Sequence, residues 1–238
     1  MDKDELYILD EHDITIKRGE IIGVKGSSAR DRSALLYTLA GFKLLDYGTM
    51  IFDDEDITNA AFDRIIYIFH QKMALIKDPF LDNSFEHRLK VSQFKLIPNN
   101  KLSVEKFIIS TLGKTAFTKK YIKLLIHEIV EELRLIEDIS LFLAKKPITA
   151  LLPWERLVAF FAHAMVSKPH VILIDSLVSF YYPGIIDDLK KIISLLKDKG
   201  ITVICVIDND FIEEALKDLL DQELNPNLFK SKPLEIFN

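Results

Sequence analysis

A polar loop between two apolar stretches carries the residue types best suited to binding an anion. The apolar run from Ile21 to Val24 predicts a buried strand, and Gly26 to Asp31 form a polar break after it. From Arg32 onward, apolar residues recur at helical spacing until Gly41, which ends the predicted helix. The free N–H groups and the dipole at the start of such a helix attract phosphate and carboxylate groups. The pattern therefore predicts an anion site built from a strand, a loop and a helix.

This loop resembles the phosphate-binding loop of ATP-binding cassette (ABC) ATPases, whose motif is G-x-x-G-x-G-K-[ST]-[ST]. The same frame here is GSSARDRSA, Gly26 to Ala34, and it retains the first glycine and the magnesium-binding hydroxyl, Ser33. Two glycines of the motif correspond to Ala29 and Asp31, and its lysine corresponds to Arg32. The flanking sequences GEIIGVKG and ALLYTLAGFKLLDYGTMIFDDEDI also resemble the family.

The resemblance implies a set of ligand-binding residues that apply only if a nucleotide binds. Ser33 and Asp175 would hold Mg²⁺, and the nucleotide would contact Gly26, Ser27, Ser28, Arg32, Ser33 and Asp175. A side chain at a glycine position with positive φ costs roughly 1–2 kcal/mol. The Asp31 carboxylate about 4 Å from a phosphate would cost roughly 1–4 kcal/mol. We therefore expect no cofactor, and we expect any binding of Mg-ATP to be weak.

A second apolar run resembles the Walker B strand of the family. The segment VILIDS, Val171 to Ser176, predicts a buried parallel strand and supplies Asp175 as the magnesium carboxylate. The family follows this aspartate with a glutamate that polarises water, but Ser176 stands here and is a poor general base. The segment Ile201 to Asp210 is predicted to be the next buried strand. The family has a histidine at the end of this strand, and Asp208 stands at the corresponding position.

The family's signature, L-S-G-G-Q/E, corresponds to LLPWE, Leu151 to Glu155. Its serine hydroxyl and glycine amides contact the ATP of the opposite subunit. Pro153 has no N–H to donate, and Trp154 places a ring where the backbone must approach phosphate. Alternatively, Pro153 simply begins a core helix at its first position, which also removes the phosphate-binding role.

The middle of the chain departs furthest from the family. Thr49 to Phe52 and Ile65 to Phe69 are predicted strands, and the glutamine that ends the family's second strand corresponds to His70, or to Gln71 after a one-residue shift. An insertion of about two dozen residues, within 77–100, precedes a segment that resembles the family's T-V-x-E-N. Its aromatic residues contact a partner or pack in a local helix, and both interpretations stay open: Phe80, Phe85 and Phe94.

Composition limits the class of protein. The chain has 238 residues and a net charge of −5, which argues against a nucleic-acid partner. A single cysteine, Cys205, excludes an internal disulfide and is typical of a reducing compartment. No apolar run approaches the roughly 20 residues that span a bilayer, so we expect no direct membrane insertion. We expect a cytoplasmic protein, peripheral on the cytoplasmic face of the cell membrane.

The predicted fold is α/β. It is a P-loop NTPase-like ABC ATPase core with a mainly parallel sheet, a small N-terminal antiparallel β part and an α-helical subdomain. The antiparallel part is assigned to Tyr7 to Leu9 and Ile14 to Lys17, and Tyr7 is either an adenine-stacking residue or an edge-strand aromatic. The predicted division is residues 1–71, 72–167 and 168–238, the first and last forming the core.

The replacements at catalytic positions indicate a catalytically inactive subunit of an ABC transporter. Such a subunit would dock on a membrane permease and pair with a catalytically intact ABC ATPase subunit. Two alternatives stay open: a weak nucleotide-binding ATPase or switch, and a soluble interaction module on the same fold. The sequence identifies neither a transported substrate nor a choice between homodimer and heterodimer.

Overall fold

A parallel sheet, five strands of which lie in the part of the chain that the structure describes, forms the centre of the protein. The computed structural model describes residues 14–26, 28–40, 48–77, 103–112, 119–143 and 147–225. The sheet strands are β1 (Ile21–Val24), β4 (Met73–Ile76), β5 (Val171–Ile174), β6 (Thr202–Val206) and β7 (Gln222–Leu224). Two further strands, β2 (Ile51–Phe52) and β3 (Glu55–Asp56), form a separate antiparallel pair.

The strand order brings distant parts of the sequence to one edge of the sheet. The order is β4-β5-β6-β1-β7, and each neighbouring pair is parallel. The carboxyl ends of β4, β5, β6 and β1 therefore lie side by side, and this is where ligands bind in open α/β sheets. The residues that follow these strands are candidates for the site.

The helices that the structure describes are α1 (Ala29–Leu39), α2 (Phe62–Lys72), α3 (Val104–Ile108), α4 (Lys119–Leu133), α5 (Ile139–Leu143), α6 (Pro153–Met165), α7 (Ile185–Asp198) and α8 (Asp210–Leu216). Alternate strand residues pack on opposite faces of the sheet. Ile21 and Ala74 join the cluster formed with α3, α4, α6 and α7, whereas Ile22 and Leu75 join the cluster formed with α1. The sheet is thus covered on both faces, as its apolar strands require.

The strand predicted at Ile65 to Phe69 is wrong, because this segment lies within helix α2. Ile65 and Ile68 are buried at helical spacing, while Tyr67 between them is 55% exposed. The strand that pairs with β5 is instead β4, whose four residues are all buried. Two adjacent apolar runs compete for the sheet here, and the shorter run, MALI, occupies it.

The antiparallel part of the fold lies later in the chain than predicted. Residues 14–17 are not a strand, and the antiparallel pair is the β2–β3 hairpin, within and after the predicted strand Thr49 to Phe52. Asp53 and Asp54 form its two-residue turn with φ of 48° and 63°, as a type I′ hairpin requires. Residues 7–9, the aromatic residues of the insertion and most of the insertion lie outside the described residues.

The longer apolar runs predicted as strands are strands: those that begin at Val171 and Ile201 form β5 and β6. The amphipathic segments 119–133 and 185–198 form the two long helices α4 and α7. The strand β7 was missed because its three residues alone give no usable pattern. The predicted α/β class with a mainly parallel sheet is confirmed, and the three-part division of the chain stays a prediction.

Candidate functional site

The turn from β1 into α1 forms one wall of the site. Gly26 has φ of 141°, a conformation that a side chain would strain. Ser28 caps α1, because its hydroxyl accepts a hydrogen bond of 3.3 Å from the backbone N–H of Asp31. Asp31 also places a carboxylate in the first turn of this helix. The helix N-terminus is thus already complemented by groups of the chain itself.

Arg32 turns back onto the loop that precedes it. Its Nη1 donates a hydrogen bond to the Gly26 carbonyl oxygen. Its Nε is buried and makes no hydrogen bond within the described part of the chain. The guanidinium therefore holds the loop closed, and one of its donor groups is committed to the backbone.

Four side chains form a hydrogen-bonded chain at the carboxyl ends of β4 and β5. Ser33 Oγ donates to Asp175 Oδ1 at 2.6 Å, and Tyr37 Oη donates to Asp175 Oδ2 at 3.0 Å. Lys77 Nζ donates to Tyr37 Oη at 3.0 Å. Ser33 and Tyr37 lie four residues apart on one face of α1, which is why both reach the same carboxylate. Each Asp175 oxygen thus accepts a hydroxyl of the chain.

The Tyr37 hydroxyl is fixed as a donor. Its side chain is buried, and this burial, together with the Asp175 carboxylate, raises the pKa of Tyr37 far above its ordinary value. The Lys77 ammonium also lies 5.6 Å from the centre of the Tyr37 ring, within the range of a cation–π contact. Tyr37 therefore links the ammonium to the carboxylate.

A second pair joins the ends of β5 and β6. Ser176 Oγ donates to Asp208 Oδ2 at 2.7 Å, and Asn209 Nδ2 donates to Asp208 Oδ1 at 2.6 Å. Burial raises the pKa of Asp208, while the Ser176 hydrogen bond and the charge of Arg32 oppose that rise. The Ser176 hydroxyl is buried and committed to this carboxylate.

The N-terminus of α6 is closed by a side chain of its own first turn. Pro153 is the first residue of the helix after the N-cap residue Leu152. The Leu152 N–H donates to Glu155 Oε2 at 2.8 Å, and Glu155 is buried. A carboxylate therefore already occupies the place where this helix end would attract an outside anion.

Solved structures decide the fold. A dimeric bacterial ABC transporter cassette matches with a TM-score of 0.69 and 19% identity, over 93% of this chain and 88% of that one. The chain has the fold of an ABC ATPase cassette. A second solved structure is cbiO1 from Clostridium perfringens, which is part of the ABC transporter complex cbiONQ. It matches this chain with a TM-score of 0.62 and 20% identity, over 86% of this chain and 80% of that one.

Curated proteins to which the chain is similar in sequence are ATP-binding proteins of ABC transporters and import systems. An ABC transporter ATP-binding protein of Methanocaldococcus jannaschii is 23% identical over 253 residues, which cover 93% of this chain and 46% of the relative. The spermidine/putrescine import ATP-binding protein PotA of Haemophilus influenzae is 26% identical over 211 residues, or 88% of this chain and 49% of the relative. The cassette thus spans about half the length of these relatives. No family model matches the chain.

The structure brings most of the predicted site residues of the cassette together. Gly26, Ser28, Arg32 and Ser33 line the β1–α1 turn, and Asp175 contacts Ser33 across the sheet edge. Ser27 lies outside the described residues. None of the helices that the structure describes is long and apolar enough to cross a membrane.

Sequence reasoning missed two residues of the site, Tyr37 and Lys77. Tyr37 was detectable, because it follows Ser33 by four residues on a predicted helix. Lys77 was hidden by the wrong strand, since it directly follows β4. His70 and Gln71 lie on α2, before β4, so neither ends a strand as predicted, and their correspondence to the family's glutamine stays a prediction.

The donor groups present fit a divalent cation poorly. A serine hydroxyl and a carboxylate are oxygen ligands that Mg²⁺ accepts, and Ser33 and Asp175 are in contact. Both carboxylate oxygens, however, already accept protein hydroxyls, and the Lys77 ammonium adds a like charge nearby. A cation at Asp175 would have to share these oxygens with the two hydroxyls and approach that ammonium. The described residues also contain no cluster of three or more His, Cys, Asp or Glu suited to a metal ion.

Proposed function

We propose that this chain is a catalytically inactive ABC cassette that docks on a membrane permease at the cytoplasmic face of the membrane. In this role it pairs with a catalytically intact ATPase subunit, which supplies the hydrolysis. The proposal is supported by relatives that are import ATP-binding proteins and by a structural neighbour that is part of a transporter complex. The cassette fold supplies the scaffold for both contacts.

The main support for the proposed lack of ATP hydrolysis is the hydrogen-bonded pair of Ser176 and Asp208. Ser176 follows the Walker B-like carboxylate, where the family has the glutamate that polarises water. Its hydroxyl donates to Asp208, so it offers water no base. Loss of a general base lowers a hydrolysis rate by about 10²–10⁴-fold. Asp208, where the family has a histidine, adds a carboxylate that repels a triphosphate.

The signature helix supports the same conclusion from another part of the chain. In the family, this helix end presents N–H groups to the ATP bound by the opposite subunit. In α6 the first residue, Pro153, has no N–H, and the Glu155 carboxylate accepts the hydrogen bond of the Leu152 N–H. An ATP phosphate approaching this end meets a carboxylate. The face therefore contributes contact surface to a partner subunit rather than phosphate binding.

Steady-state hydrolysis tests the catalytic half of the proposal. We expect the purified chain to hydrolyse saturating Mg-ATP at the rate of the Ser33→Ala variant, because both preparations then report only contaminating ATPase. Ser33→Ala removes one hydrogen bond to Asp175, and its folding is checked by thermal melting. Phosphate release that exceeds the variant's rate by about tenfold or more would contradict the proposal.

A weak nucleotide-binding switch is the second candidate, and one observation favours it. The Arg32 Nε is buried without a hydrogen-bond partner in the described residues, at the loop where phosphates bind in the family. Calorimetric titration with Mg-ATP up to millimolar concentration distinguishes the two candidates. Heat of binding together with a higher melting temperature supports the switch, and the absence of both removes it.

Co-purification tests the assembly half of the proposal. We expect the tagged full chain, extracted in mild detergent from its native cells, to bring down a multi-helix permease and an ABC ATPase with an intact phosphate-binding loop. An untagged strain is the control for non-specific capture. Recovery of the chain free of both proteins would contradict the proposal, and a different single partner would favour the interaction module left open by the sequence.

A further inference from the structure

Lys77 directly follows β4 and reaches the Asp175 carboxylate through a single intervening hydroxyl. Two hydrogen bonds of 3.0 Å each connect Lys77 Nζ to Tyr37 Oη and Tyr37 Oη to Asp175 Oδ2. We propose that Lys77, acting through Tyr37, balances the charge of Asp175 in place of a divalent cation, so that this cassette keeps its site assembled without a metal. The proposal rests on the proposed function, since it concerns the same inactive site.

The charge of Asp175 requires such a partner. The carboxyl group lies at the end of a buried strand and is itself buried, where an unpaired charge is costly. Ser33 and Tyr37 donate hydrogen bonds but carry no charge. The Arg32 guanidinium donates to the Gly26 carbonyl oxygen, and its positive charge lowers the pKa of Asp208. Lys77 is the ammonium that the hydrogen-bonded chain connects to Asp175.

The arrangement is held by packing on both sides. Tyr37 belongs to the buried cluster between α1 and the sheet, together with Leu75 of β4 and Leu173 of β5. The parallel pairing of β4 with β5 places Ile76 opposite Ile174, so the residues that follow, Lys77 and Asp175, emerge at the same level of the sheet edge. The tyrosine ring and the strand register thus fix the ammonium and the carboxylate relative to each other.

A divalent cation would compete with this arrangement. Mg²⁺ demands near-octahedral oxygen ligands at about 2.0–2.1 Å, so it needs a carboxylate oxygen with an open approach. In this cassette, hydroxyls of Ser33 and Tyr37 contact both oxygens of Asp175, and the Lys77 charge repels a second cation. Removing that charge should therefore raise the affinity of the site for a divalent cation.

Metal binding and thermal melting of three proteins test the proposal: the wild type, Lys77→Gln and the control Lys199→Gln. Lys199 is a matched control, because it pairs with Glu132 at 2.9 Å on the surface, away from this sheet edge. Mn²⁺ serves as the probe, with binding followed by electron paramagnetic resonance. In EDTA we expect Lys77→Gln to melt about 3 °C or more below the wild type.

We expect the wild type and Lys199→Gln to bind no Mn²⁺ below millimolar concentration and to melt at the same temperature with and without it. Lys77→Gln should bind Mn²⁺ about tenfold or more tightly than the wild type, because a nearby positive charge is gone. Mn²⁺ should also restore part of its lost melting temperature. Tyr37→Phe, which removes only the connecting hydroxyl, should shift both measurements in the same direction and replaces Lys77→Gln if that variant does not fold.

Equal Mn²⁺ affinity in the wild type, Lys77→Gln and Tyr37→Phe would overturn the proposal, as would an unchanged melting temperature for both variants. These readouts do not depend on hydrolysis. If the wild type binds Mn²⁺ below millimolar concentration but hydrolyses no ATP, the proposed role of Lys77 is overturned and the proposed function is not. Hydrolysis by the wild type that exceeds the Ser33→Ala rate would overturn the proposed function instead.

Discussion

Replacing Asp175 by alanine is expected to lower the free energy of unfolding by about 3 kcal/mol. The substitution leaves the Ser33 and Tyr37 hydroxyls without their acceptor. Leaving a buried donor unsatisfied costs about 1–3 kcal/mol, and two donors are affected here. Ser33 is partly exposed, which places the expected loss in the lower part of the combined range.

Urea unfolding followed by circular dichroism measures this loss. Glu128→Ala is the control, because Glu128 is exposed in the middle of α4 and a substitution there should cost less than about 0.5 kcal/mol. A double-mutant cycle of Asp175→Ala with Tyr37→Phe should give a coupling free energy of about 1 kcal/mol or more. A loss for Asp175→Ala no larger than that for Glu128→Ala would show that the hydrogen-bonded chain does not stabilise the fold.

Acidification from pH 7 to pH 4 is expected to remove about 3 kcal/mol of stability through His163 alone. His163 lies on α6, is buried, and stacks on the Phe107 ring with their centres 4.3 Å apart. Its Nδ1 lies 2.8 Å from the Phe107 carbonyl oxygen, so this nitrogen carries the hydrogen and donates. Burial lowers the pKa of His163 to about 4, with the hydrogen bonds to backbone carbonyls opposing it.

The direction of the effect follows from where the proton binds. In the unfolded chain a histidine takes up its proton near pH 6.5, whereas folded His163 stays neutral to about pH 4. Stability is therefore unaffected by this group above pH 6.5 and falls as the pH drops toward 4, by about 1.4 kcal/mol per unit of pKa difference. Below that range the folded residue is protonated as well, and the loss stops growing.

Comparison of variants isolates this contribution from the carboxyl groups that titrate in the same range. His163→Gln should flatten the dependence of the unfolding free energy on pH by about 3 kcal/mol between pH 7 and pH 4. His127→Gln is the control for the loss of a histidine, because His127 is a half-exposed residue of α4 rather than a buried one. Identical profiles for the wild type and His163→Gln would show that folded His163 is not held neutral.

Asp175 and His163 belong to different parts of the cassette. Asp175 lies at the sheet edge where the family binds nucleotide, and His163 lies where α6 packs on α3. Both side chains, however, are buried and form hydrogen bonds with other groups of the chain. At both places, side chains and backbone groups of the chain itself supply the hydrogen bonds.

Local patterns in the sequence determined much of the fold. The strand–loop–helix from Ile21 to Leu39 and the strand after residue 170 combine a long apolar signal with clear start and stop residues. The start of α6 at Pro153 follows from the missing N–H of proline. That a serine, Ser176, follows Asp175 is visible in the sequence directly. These features depend on residues close together in the chain.

Only the tertiary structure decided which of two adjacent apolar runs enters the sheet. The runs IIYIF and MALI are both short, and their composition suits either a strand or a buried helix face. Pairing with β5, about a hundred residues later, selects Met73–Ile76 and leaves the first run in α2. Contact across the sheet outweighs local preference here, because a strand gains its hydrogen bonds only from a partner.

Pairing between distant strands also decides which side chains meet in the candidate site. The sequence placed Ser33 and Asp175 in one site, because the family supplied the correspondence. It did not connect Lys77 to Asp175, nor Ser176 to Asp208, since these contacts depend on the order of strands in the sheet. Residue types near each strand end are fixed by the sequence, but strand order and register decide which of them meet and so which charges are balanced.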